Sequence, residues 1–408
     1  MEEDRRFIGR LEEEFRCTET LSVTLKQCVR YAGLAGIRID EITEKMREEN
    51  RLPVTNKKDG IKQLSFLRDR LTDCENADFT CVERSRPSAE KPKTLYIESG
   101  IADHPNTIKI RKQFPELTPV EIGNYKDVFY HPEDRKRGII LAEKSGKSIL
   151  PGAPVCQDFD EKYFYYVSCV TGCPYDCEYC YLKGMHPSRD IVIYVNQEAL
   201  FAEAEELLRG HEAYICISYD SDLMALENAT GFVHMWSEFV RAHAGLLVEC
   251  RTKSAGINRW SRLDPCDRMI YAFTLSPEEV IRSCEHGAPS LPARLASAKT
   301  AMEHGFTVRL CFDPVILIPG WRNCYGEMMK TVLGTIDINR VRDISIGSFR
   351  ISGNYLRRLR QCEPDSAAVQ YPFVQENGVY QYPADHAEEA SAFLKSFLSD
   401  FSVNIFET

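Results

Sequence analysis

Apolar residues recur about every four positions through the first 75 residues, with acidic and basic residues between them. The pattern is formed by Leu11, Phe15, Leu21, Leu25 and Val29. Side chains three to four residues apart lie on one face of a helix, so residues 1–75 are predicted to form a helical appendage. Thr18 or Thr20 is a candidate N-cap for one of its helices.

Breaks in this pattern predict three helices. Gly33 and Gly36 suit a turn, and Pro53 separates an amphipathic segment beginning at residue 39 from another at 61–71. Two roles for the appendage stay open: a packing or dimerisation element, and a helix-turn-helix that reads DNA. Its charges are mixed rather than basic, which favours the first role.

From residue 94 onward short apolar runs alternate with amphipathic segments, after a polar linker at 76–93 that contains Pro87 and Pro92. After a first strand at 95–98, we predict strands at 163–169, 191–195, 214–218, 246–249, 269–275, 307–312, 343–346 and 403–406. Helices are predicted at 198–208, 230–243, 295–304, 325–333 and 387–398. This alternation predicts an α/β fold with a parallel, barrel-like sheet, in which catalytic groups lie at the C-terminal strand ends.

Composition narrows the class of protein. With 408 residues, 43% hydrophobic and 27% charged, the chain can form one large domain and a small one. No apolar run reaches membrane-spanning length, and no apolar stretch follows the charged N-terminus, so a cytoplasmic protein is expected. Its 16 cysteines are then interpreted as reduced thiols and metal ligands. The net charge of −10 requires either a local basic patch for DNA or another substrate.

Three cysteines form the most specific motif of the sequence. Cys173, Cys177 and Cys180 are spaced C-x3-C-x2-C. Three thiolates can hold three irons of a [4Fe–4S] cluster and leave the fourth iron open to a small molecule. The alternatives are a structural zinc site or three unrelated core cysteines. Zinc sites usually add a second Cys or His pair downstream, and the sequence has no second C-x2-C and no H-x3-H.

This loop resembles that of radical S-adenosylmethionine (SAM) enzymes, and from about residue 95 onward the chain resembles spore photoproduct lyases. The shared stretches keep their order and spacing, and they are 171–173, 177–182, 193–196, Ser221-Asp222, Thr252-Lys253, Pro314, Gly320-Trp321 and Phe349-Arg350. No counterpart is recognised for about the first 90 residues.

The resemblance implies a fold, an activity and cofactors. The fold would be a partial (β/α)6-type TIM barrel, the radical SAM core, over residues 94–408. Its cluster loop would lie at 169–182 and its DNA-contact region at 340–408. The activity would be cleavage of SAM at a [4Fe–4S] cluster to a 5′-deoxyadenosyl radical, which reverses a thymine photoproduct in DNA after the lesion is turned into the site. Reduced flavodoxin or ferredoxin would supply the electron.

The resemblance also assigns residues to the cofactors. Cys173, Cys177 and Cys180 would bind the cluster. Lys253 would pair with the SAM carboxylate, and Thr274 stands where the family has a serine that contacts the same group. Ser221 and Asp222 would reach the sugar of SAM. Each has a simpler interpretation too: Lys253 as a surface lysine and Asp222 as a helix cap.

Other residues are assigned to the substrate and to hydrogen transfer. Tyr179 and Tyr181 would carry the hydrogen or radical toward SAM, although Tyr179 can also simply pack on the cofactors. Arg350 would contact the DNA or the lesion. It has rivals in a basic C-terminal group that includes Arg340, Arg342, Arg357, Arg358 and Arg360, which is either a phosphate contact or a solvated helix face.

One position departs from the family. Tyr219 stands where the family has the cysteine that donates hydrogen, two residues before Ser221. A phenol can donate hydrogen, but its bulk would reshape the pocket. Cys216, three residues earlier, should point to the opposite face of its strand. Cys250 and Cys311 lie near other strand ends and are further candidates, although buried structural roles fit all three cysteines.

Two further functions therefore stay open. The first is a radical SAM enzyme of the same lineage with another substrate, such as a nucleoside, a peptide or a small metabolite, which the acidic charge and Tyr219 favour. The second is an iron–sulfur redox sensor whose N-terminal helices bind DNA. Such a sensor would not need Lys253 or Ser221, so their presence favours an enzyme.

Overall fold

The computed structural model describes residues 2–72, 91–130, 137–153 and 156–407. Its helices are α1 (Glu2–Glu14), α2 (Glu19–Leu34), α3 (Ile39–Glu48), α4 (Lys57–Thr72), α5 (Pro105–Arg111), α6 (Leu182–Met185), α7 (Gln197–Leu208), α8 (Leu223–Thr230), α9 (Phe232–Ala242), α10 (Glu278–Cys284), α11 (Leu291–Glu303), α12 (Trp321–Thr335), α13 (Gly353–Cys362), α14 (Ala367–Gln370) and α15 (Ala384–Ser396).

The strands are β1 (Thr94–Glu98), β2 (Thr118–Ile122), β3 (Gly138–Ala142), β4 (Ile149–Pro151), β5 (Phe164–Val167), β6 (Val170–Thr171), β7 (Asp176–Cys177), β8 (Ile191–Tyr194), β9 (Ala213–Cys216), β10 (Leu246–Thr252), β11 (Met269–Thr274), β12 (Glu285–His286), β13 (Thr307–Val315), β14 (Asp343–Ser348), β15 (Arg350–Ser352), β16 (Val374–Glu376), β17 (Val379–Gln381) and β18 (Asn404–Glu407).

Residues 2–72 contain four helices, where the sequence pattern predicted three. The chain breaks between α1 and α2, where Arg16 has a φ of 48° and Thr18 caps α2 by accepting a hydrogen bond from the N–H of Leu21 at 3.4 Å. These helices share a buried core that includes Leu11, Phe15, Leu25, Leu67 and Leu71. The predicted linker lies mostly outside the described residues, since 76–90 fall there.

The helical appendage packs against the C-terminal part of the chain. Arg30 on α2 donates a hydrogen bond to the carbonyl of Pro364 at 2.8 Å, and the rings of Tyr31 and Tyr371 meet edge to face at 5.2 Å. The appendage therefore packs against the rest of the chain, which is part of the first of the two roles that the sequence left open.

The largest sheet is a parallel barrel wall. Its order is β4-β5-β9-β10-β11-β13-β14-β18, and every pair from β5 to β18 is parallel, whereas β4 pairs with β5 in the antiparallel sense. The two edge strands β4 and β18 do not pair with each other in this sheet, so the barrel is open. The predicted α/β fold with parallel strands is confirmed.

A second sheet carries one strand that the alternation pattern had grouped with the barrel. Strand β8 pairs with β3 in the order β2-β1-β3-β8-β6. All residues of β3 and β8 are buried, which explains why their apolar runs cannot be told apart from those of barrel strands by sequence pattern. No helix among the described residues is long and apolar enough to cross a membrane.

A buried ionic network lies inside the barrel near the N-terminal strand ends. The guanidinium of Arg309, only 1% exposed, donates to Asp343 at 2.9 Å and to the hydroxyl of Tyr214 at 2.8 Å. It also binds Glu249 and lies 3.3 Å from the ring centroid of Phe159. The network fills the interior of the barrel with polar groups that satisfy one another.

Arg309→Leu should lower the free energy of unfolding by about 3 kcal/mol, because it removes the buried cation that Glu249 and Asp343 share and leaves each carboxylate only one partly exposed arginine. Arg342→Leu is the matched control, since Arg342 is 38% exposed and pairs with the same Asp343 at 3.3 Å. An exposed ion pair contributes at most about 1 kcal/mol. Urea unfolding monitored by tryptophan fluorescence measures both; equal losses would contradict the buried role of Arg309.

Candidate active site

The cysteine loop follows β5 and β6, at the C-terminal end of the first barrel strand. Cys177 is buried, and Cys173 and Cys180 are half-buried. Strand β7 pairs with β12 so that Cys177 lies opposite Glu285, and the N–H of Glu178 donates to the carbonyl of Cys284 at 2.7 Å. These backbone contacts fix the loop against a neighbouring part of the barrel.

A glycine makes the entry to this loop possible. Gly172 has a φ of +83°, and a Cβ at this position would lie 2.1 Å from the carbonyl oxygen of Asp190. Only glycine allows both that backbone conformation and that contact. On the other side of the loop, the guanidinium of Arg137 donates to the carbonyl of Cys173.

The three thiols of the cysteine loop are candidate ligands of a metal centre. Burial raises the pKa of Cys177 to about 12, and Lys253 acts in the opposite direction. Soft thiol donors beside a cation suit a cluster that takes them as thiolates.

Lys253 lies beside this loop, directly after β10. Its Nζ is 3.8 Å from Oε1 of Glu285 and 5.4 Å from the ring centroid of Tyr179. The side chain is only 17% exposed, so it is not an ordinary surface lysine. Its ammonium therefore faces the loop that carries the cysteines, where an anionic group of a small molecule could bind it.

Glu285 organises this corner, although no motif in the sequence indicated it. The hydroxyls of Tyr179 and Ser276 both donate to Glu285, the latter at 2.8 Å, and Arg294 pairs with its other oxygen. Burial alone would raise the pKa of Glu285, but Lys253 and Arg294 outweigh it and lower that pKa to about 2. The carboxylate therefore stays ionised and fixes Lys253 and Tyr179.

Ser221 and Asp222 follow β9 and connect the strand ends. Asp222 accepts hydrogen bonds from the N–H of Ala225 at 2.9 Å, from the N–H of Lys253 at 2.7 Å and from the hydroxyl of Thr252. It therefore caps α8, as one interpretation of the sequence held, and it also fixes the backbone of Lys253. Burial, as the main cause, raises the pKa of Asp222.

The other two residues assigned to SAM lie at neighbouring strand ends. Ser221 donates to the carbonyl of Gly172 at 2.8 Å, which ties it to the cysteine loop. Thr274 ends β11, is 4% exposed, and its carbonyl accepts a hydrogen bond from Arg294 at 3.1 Å. The parallel sheet thus brings the candidate cofactor residues to one edge of the barrel, as its geometry requires.

A second group of aromatic side chains lies around Tyr181, the residue directly after the last cysteine of the loop. The hydroxyl of Tyr181 donates to the carbonyl of Tyr219 at 2.6 Å, and their ring centroids are 5.8 Å apart. Tyr166 stacks on Tyr219 with centroids 4.0 Å apart. The hydroxyl of Tyr219 is 3.8 Å from Sγ of Cys156, a residue that sequence reasoning did not single out.

The cysteines named from the sequence as donor candidates have no hydrogen bond to Tyr219 among the described residues. The thiol of Cys216 faces Glu249 at 3.8 Å, so it points away from Tyr219 as strand alternation predicted. Cys250 and Cys311 are fully buried in their strands. Burial and orientation favour structural roles for these three thiols.

The basic C-terminal group is divided by the fold. Arg340 and Arg342 precede β14, whereas Arg350 follows it, so a strand of six residues, about 20 Å, separates them. Arg360 is engaged with the carbonyls of Val369 and Tyr371. Arg340, Arg342 and Arg360 therefore do not form one surface with Arg350.

On the cysteine-loop side, Arg350 donates to Asp313 at 3.3 Å and to the carbonyl of Ser348 at 3.1 Å. Helix α13 carries Arg357 and Arg358 and packs on α6, the helix directly after the cysteine loop. Arg350 is half-buried at the end of β14, whereas Arg357 and Arg358 are exposed on α13.

Comparisons with known proteins agree with this geometry. Residues 158–352 match the family model described as spore photoproduct lyase. The spore photoproduct lyase of Clostridium acetobutylicum is 24% identical over 240 residues, covering 56% of this chain and 71% of that protein. The spore photoproduct lyase of Bacillus subtilis is 21% identical over 336 residues, covering 77% of this chain and 96% of that protein.

Solved structures show the same fold. A spore photoproduct lyase complexed with dinucleoside spore photoproduct superimposes with a TM-score of 0.66 at 18% identity, covering 78% of this chain and 98% of that chain. A mutant of that enzyme with bound AdoMet and dinucleoside spore photoproduct gives a TM-score of 0.64 with the same coverage.

Proposed function

Because residues 158–352 match the spore photoproduct lyase family model, we propose that this chain is a member of that family, a radical SAM lyase that reverses a thymine photoproduct in DNA. The observation that carries the proposal is the convergence of the three-cysteine loop with Lys253 at one edge of the barrel. A sensor would need the cysteines but not a buried ammonium beside them.

Cys173, Cys177 and Cys180 would hold a [4Fe–4S] cluster, and Lys253 would hold the carboxylate of SAM. When bound, these cofactors supply a 5′-deoxyadenosyl radical. Ser221 and Asp222 fix the loops around the SAM position, and Thr274 lines the same strand end. Tyr179 is 5% exposed and covers the cysteine loop, so it shields reactive species from water.

We propose that DNA is recognised on the side of the cysteine loop where Arg350 lies. Arg350, Arg357 and Arg358 would contact the phosphates or the lesion, and they supply the local basic patch that a chain of net charge −10 needs. Tyr181 and Tyr219 would lie between the SAM position and the lesion, where their phenols can pass hydrogen.

The proposed location is a reducing compartment, the cytoplasm. All 14 cysteines among the described residues are free thiols. Reduced flavodoxin or ferredoxin, which such a compartment contains, would be the electron donor.

One observation favours a second candidate function. Tyr219 stands in the position of the family's donor cysteine, and its larger ring stacks on Tyr166. A spore-photoproduct-lyase-like enzyme with a different nucleoside, peptide or small-molecule substrate would also fit this change.

We expect the anaerobically reconstituted protein to consume dinucleoside spore photoproduct when given SAM and dithionite, with formation of 5′-deoxyadenosine and repaired thymine. A cyclobutane thymine dimer is the matched control. It should not be consumed, because the proposed reaction does not break the two bonds that join its thymines. Liquid chromatography with mass spectrometry measures all products. Formation of 5′-deoxyadenosine without repair would favour the second candidate. Neither 5′-deoxyadenosine nor repaired thymine, with or without the dinucleoside, would contradict both.

A further inference from the structure

The contact between Cys156 and Tyr219 lies outside every role assigned so far. Sγ of Cys156 is 3.8 Å from the hydroxyl of Tyr219, within hydrogen-bonding range for sulfur. The thiol is half-buried rather than enclosed. Cys156 precedes β5, so its place beside Tyr219 arises from the way the chain crosses the barrel edge and not from any motif.

The surroundings of this pair form an incomplete polar pocket. Asp220 is 5% exposed, and its Oδ2 accepts a hydrogen bond from Ser168, but its Oδ1 has no hydrogen-bond partner. Nε2 of His186 lies 3.7 Å from that oxygen, and it too has no hydrogen-bond partner among the described residues. A buried acceptor without a donor indicates a position that a ligand's N–H can fill.

Asp220 and Cys156 lie beside the same aromatic side chains. Tyr166 stacks on Tyr219 with ring centroids 4.0 Å apart, and the hydroxyl of Tyr181 donates to the carbonyl of Tyr219 at 2.6 Å. The thiol and these phenols therefore lie together beside the cysteine loop, next to Asp220. Flat rings with a single free acceptor suit a nucleobase that offers an N–H.

We propose that Cys156 is a catalytic residue, the donor of the hydrogen atom that completes repair, and that Tyr219 returns a hydrogen atom to it. This inference rests on the proposed function. In the donor step the S–H bond of Cys156 breaks, a C–H bond forms on the thymine radical, and a thiyl radical stays on Sγ. The O–H bond of Tyr219 then breaks and the S–H bond forms again.

The remaining steps balance without an external reductant. The phenoxyl radical left on Tyr219 takes a hydrogen atom from Tyr181, whose ring lies 5.8 Å away. Tyr181 in turn recovers a hydrogen atom from the 5′-deoxyadenosine that the proposed reaction produces. The carbon radical that this leaves on the nucleoside would recombine with the sulfur of the methionine released from SAM, so that SAM forms again and the electron returns to its donor site.

The protonation state of Cys156 suits a donor of hydrogen atoms. Burial, the largest influence, raises the pKa of its thiol, and the hydrogen bond to Tyr219 and the charge of Arg251 only partly offset it. The thiol therefore stays protonated at neutral pH. The other thiols near the strand ends are enclosed, since Cys216, Cys250 and Cys311 are each at most 7% exposed.

The first test needs neither cluster nor SAM. Iodoacetamide labelling of the unreconstituted protein, mapped by mass spectrometry, should be slowed at Cys156 by dinucleoside spore photoproduct. The slowing is about tenfold when the dinucleoside is present at about nine times its Kd. Cys324 on α12, also half-buried, is the matched control and should label at an unchanged rate. Equal rates at Cys156 with and without bound dinucleoside would overturn the inference.

The second test follows the hydrogen itself. In a single turnover in D2O, the wild type should place one deuterium on the repaired thymine. Cys156→Ala and Cys156→Ser should lose that deuterated product and give by-products, while still consuming the dinucleoside and forming 5′-deoxyadenosine, which shows that they fold. Tyr219→Phe should keep the first turnover and lose later ones, and Cys324→Ala should behave like the wild type.

The outcomes separate the inference from the proposed function. Deuterated, repaired thymine at wild-type yield from both Cys156 variants would overturn the role of Cys156 and leave the lyase intact. Failure of the wild type to consume the dinucleoside would overturn the lyase, and the donor role would fall with it.

Discussion

Replacing Cys177 with alanine should reduce SAM cleavage to the background of the reaction without enzyme. Cys177 is the buried member of the cysteine loop and the one that β7 places opposite Glu285. Losing one of three thiolates leaves a [4Fe–4S] cluster with two protein ligands, which does not hold it. Because no radical forms without the cluster, the loss extends to every later step.

The measurements are iron and sulfide content, the absorption of the reconstituted protein, and 5′-deoxyadenosine by liquid chromatography. Cys284→Ala is the matched control, since Cys284 is buried and its backbone carbonyl binds the N–H of Glu178, yet its thiol is not assigned to the cluster. The control should keep its iron. A Cys177→Ala protein that still cleaves SAM would show that the ligands are assigned wrongly.

Glu285→Gln is expected to lower the free energy of unfolding by about 3–5 kcal/mol, because the neutral amide leaves Arg294 and Lys253 as buried cations without a counter-charge. It should also weaken SAM binding, since Glu285 fixes both Lys253 and the hydroxyl of Tyr179. Urea unfolding measures the first effect, and equilibrium dialysis of SAM the second.

The effect of Glu285 depends on pH in a defined direction. Its pKa is lowered from 4.5 to about 2 in the folded protein, so its stabilising contribution is complete above about pH 4.5. That contribution is lost as the pH falls through 2. The difference in stability between wild type and Glu285→Gln should therefore be constant near neutrality and narrow in acid.

Glu278→Gln is the matched control for this variant. Glu278 is a nearby carboxylate that accepts one hydrogen bond, from the N–H of Leu291 at 2.7 Å. Its replacement should cost only about 1 kcal/mol and should leave SAM binding unchanged. If the two glutamate variants lost equal stability and bound SAM equally well, Glu285 would not have the organising role given to it.

The sequence determined those features that depend on short spacing. Strands β9, β11 and β13 lie where apolar runs predicted them, because a parallel strand that is buried on both faces is mostly apolar. The cysteine loop could be recognised because its three ligands lie within eight residues. The cap at Thr18 was predictable because a capping side chain reaches only the first turn of its own helix.

Only the tertiary structure decided which residues are in contact at the edge of the barrel. Glu285 is more than thirty positions from Lys253 and more than a hundred from Tyr179, and Cys156 is more than sixty from Tyr219, yet each pair is in contact. The assignment of β8 to a second sheet and the separation of Arg342 from Arg350 also arise from topology. Sequence spacing fixes contacts within one turn or one loop. Contacts between distant segments depend on strand order, which local patterns of hydrophobicity do not contain.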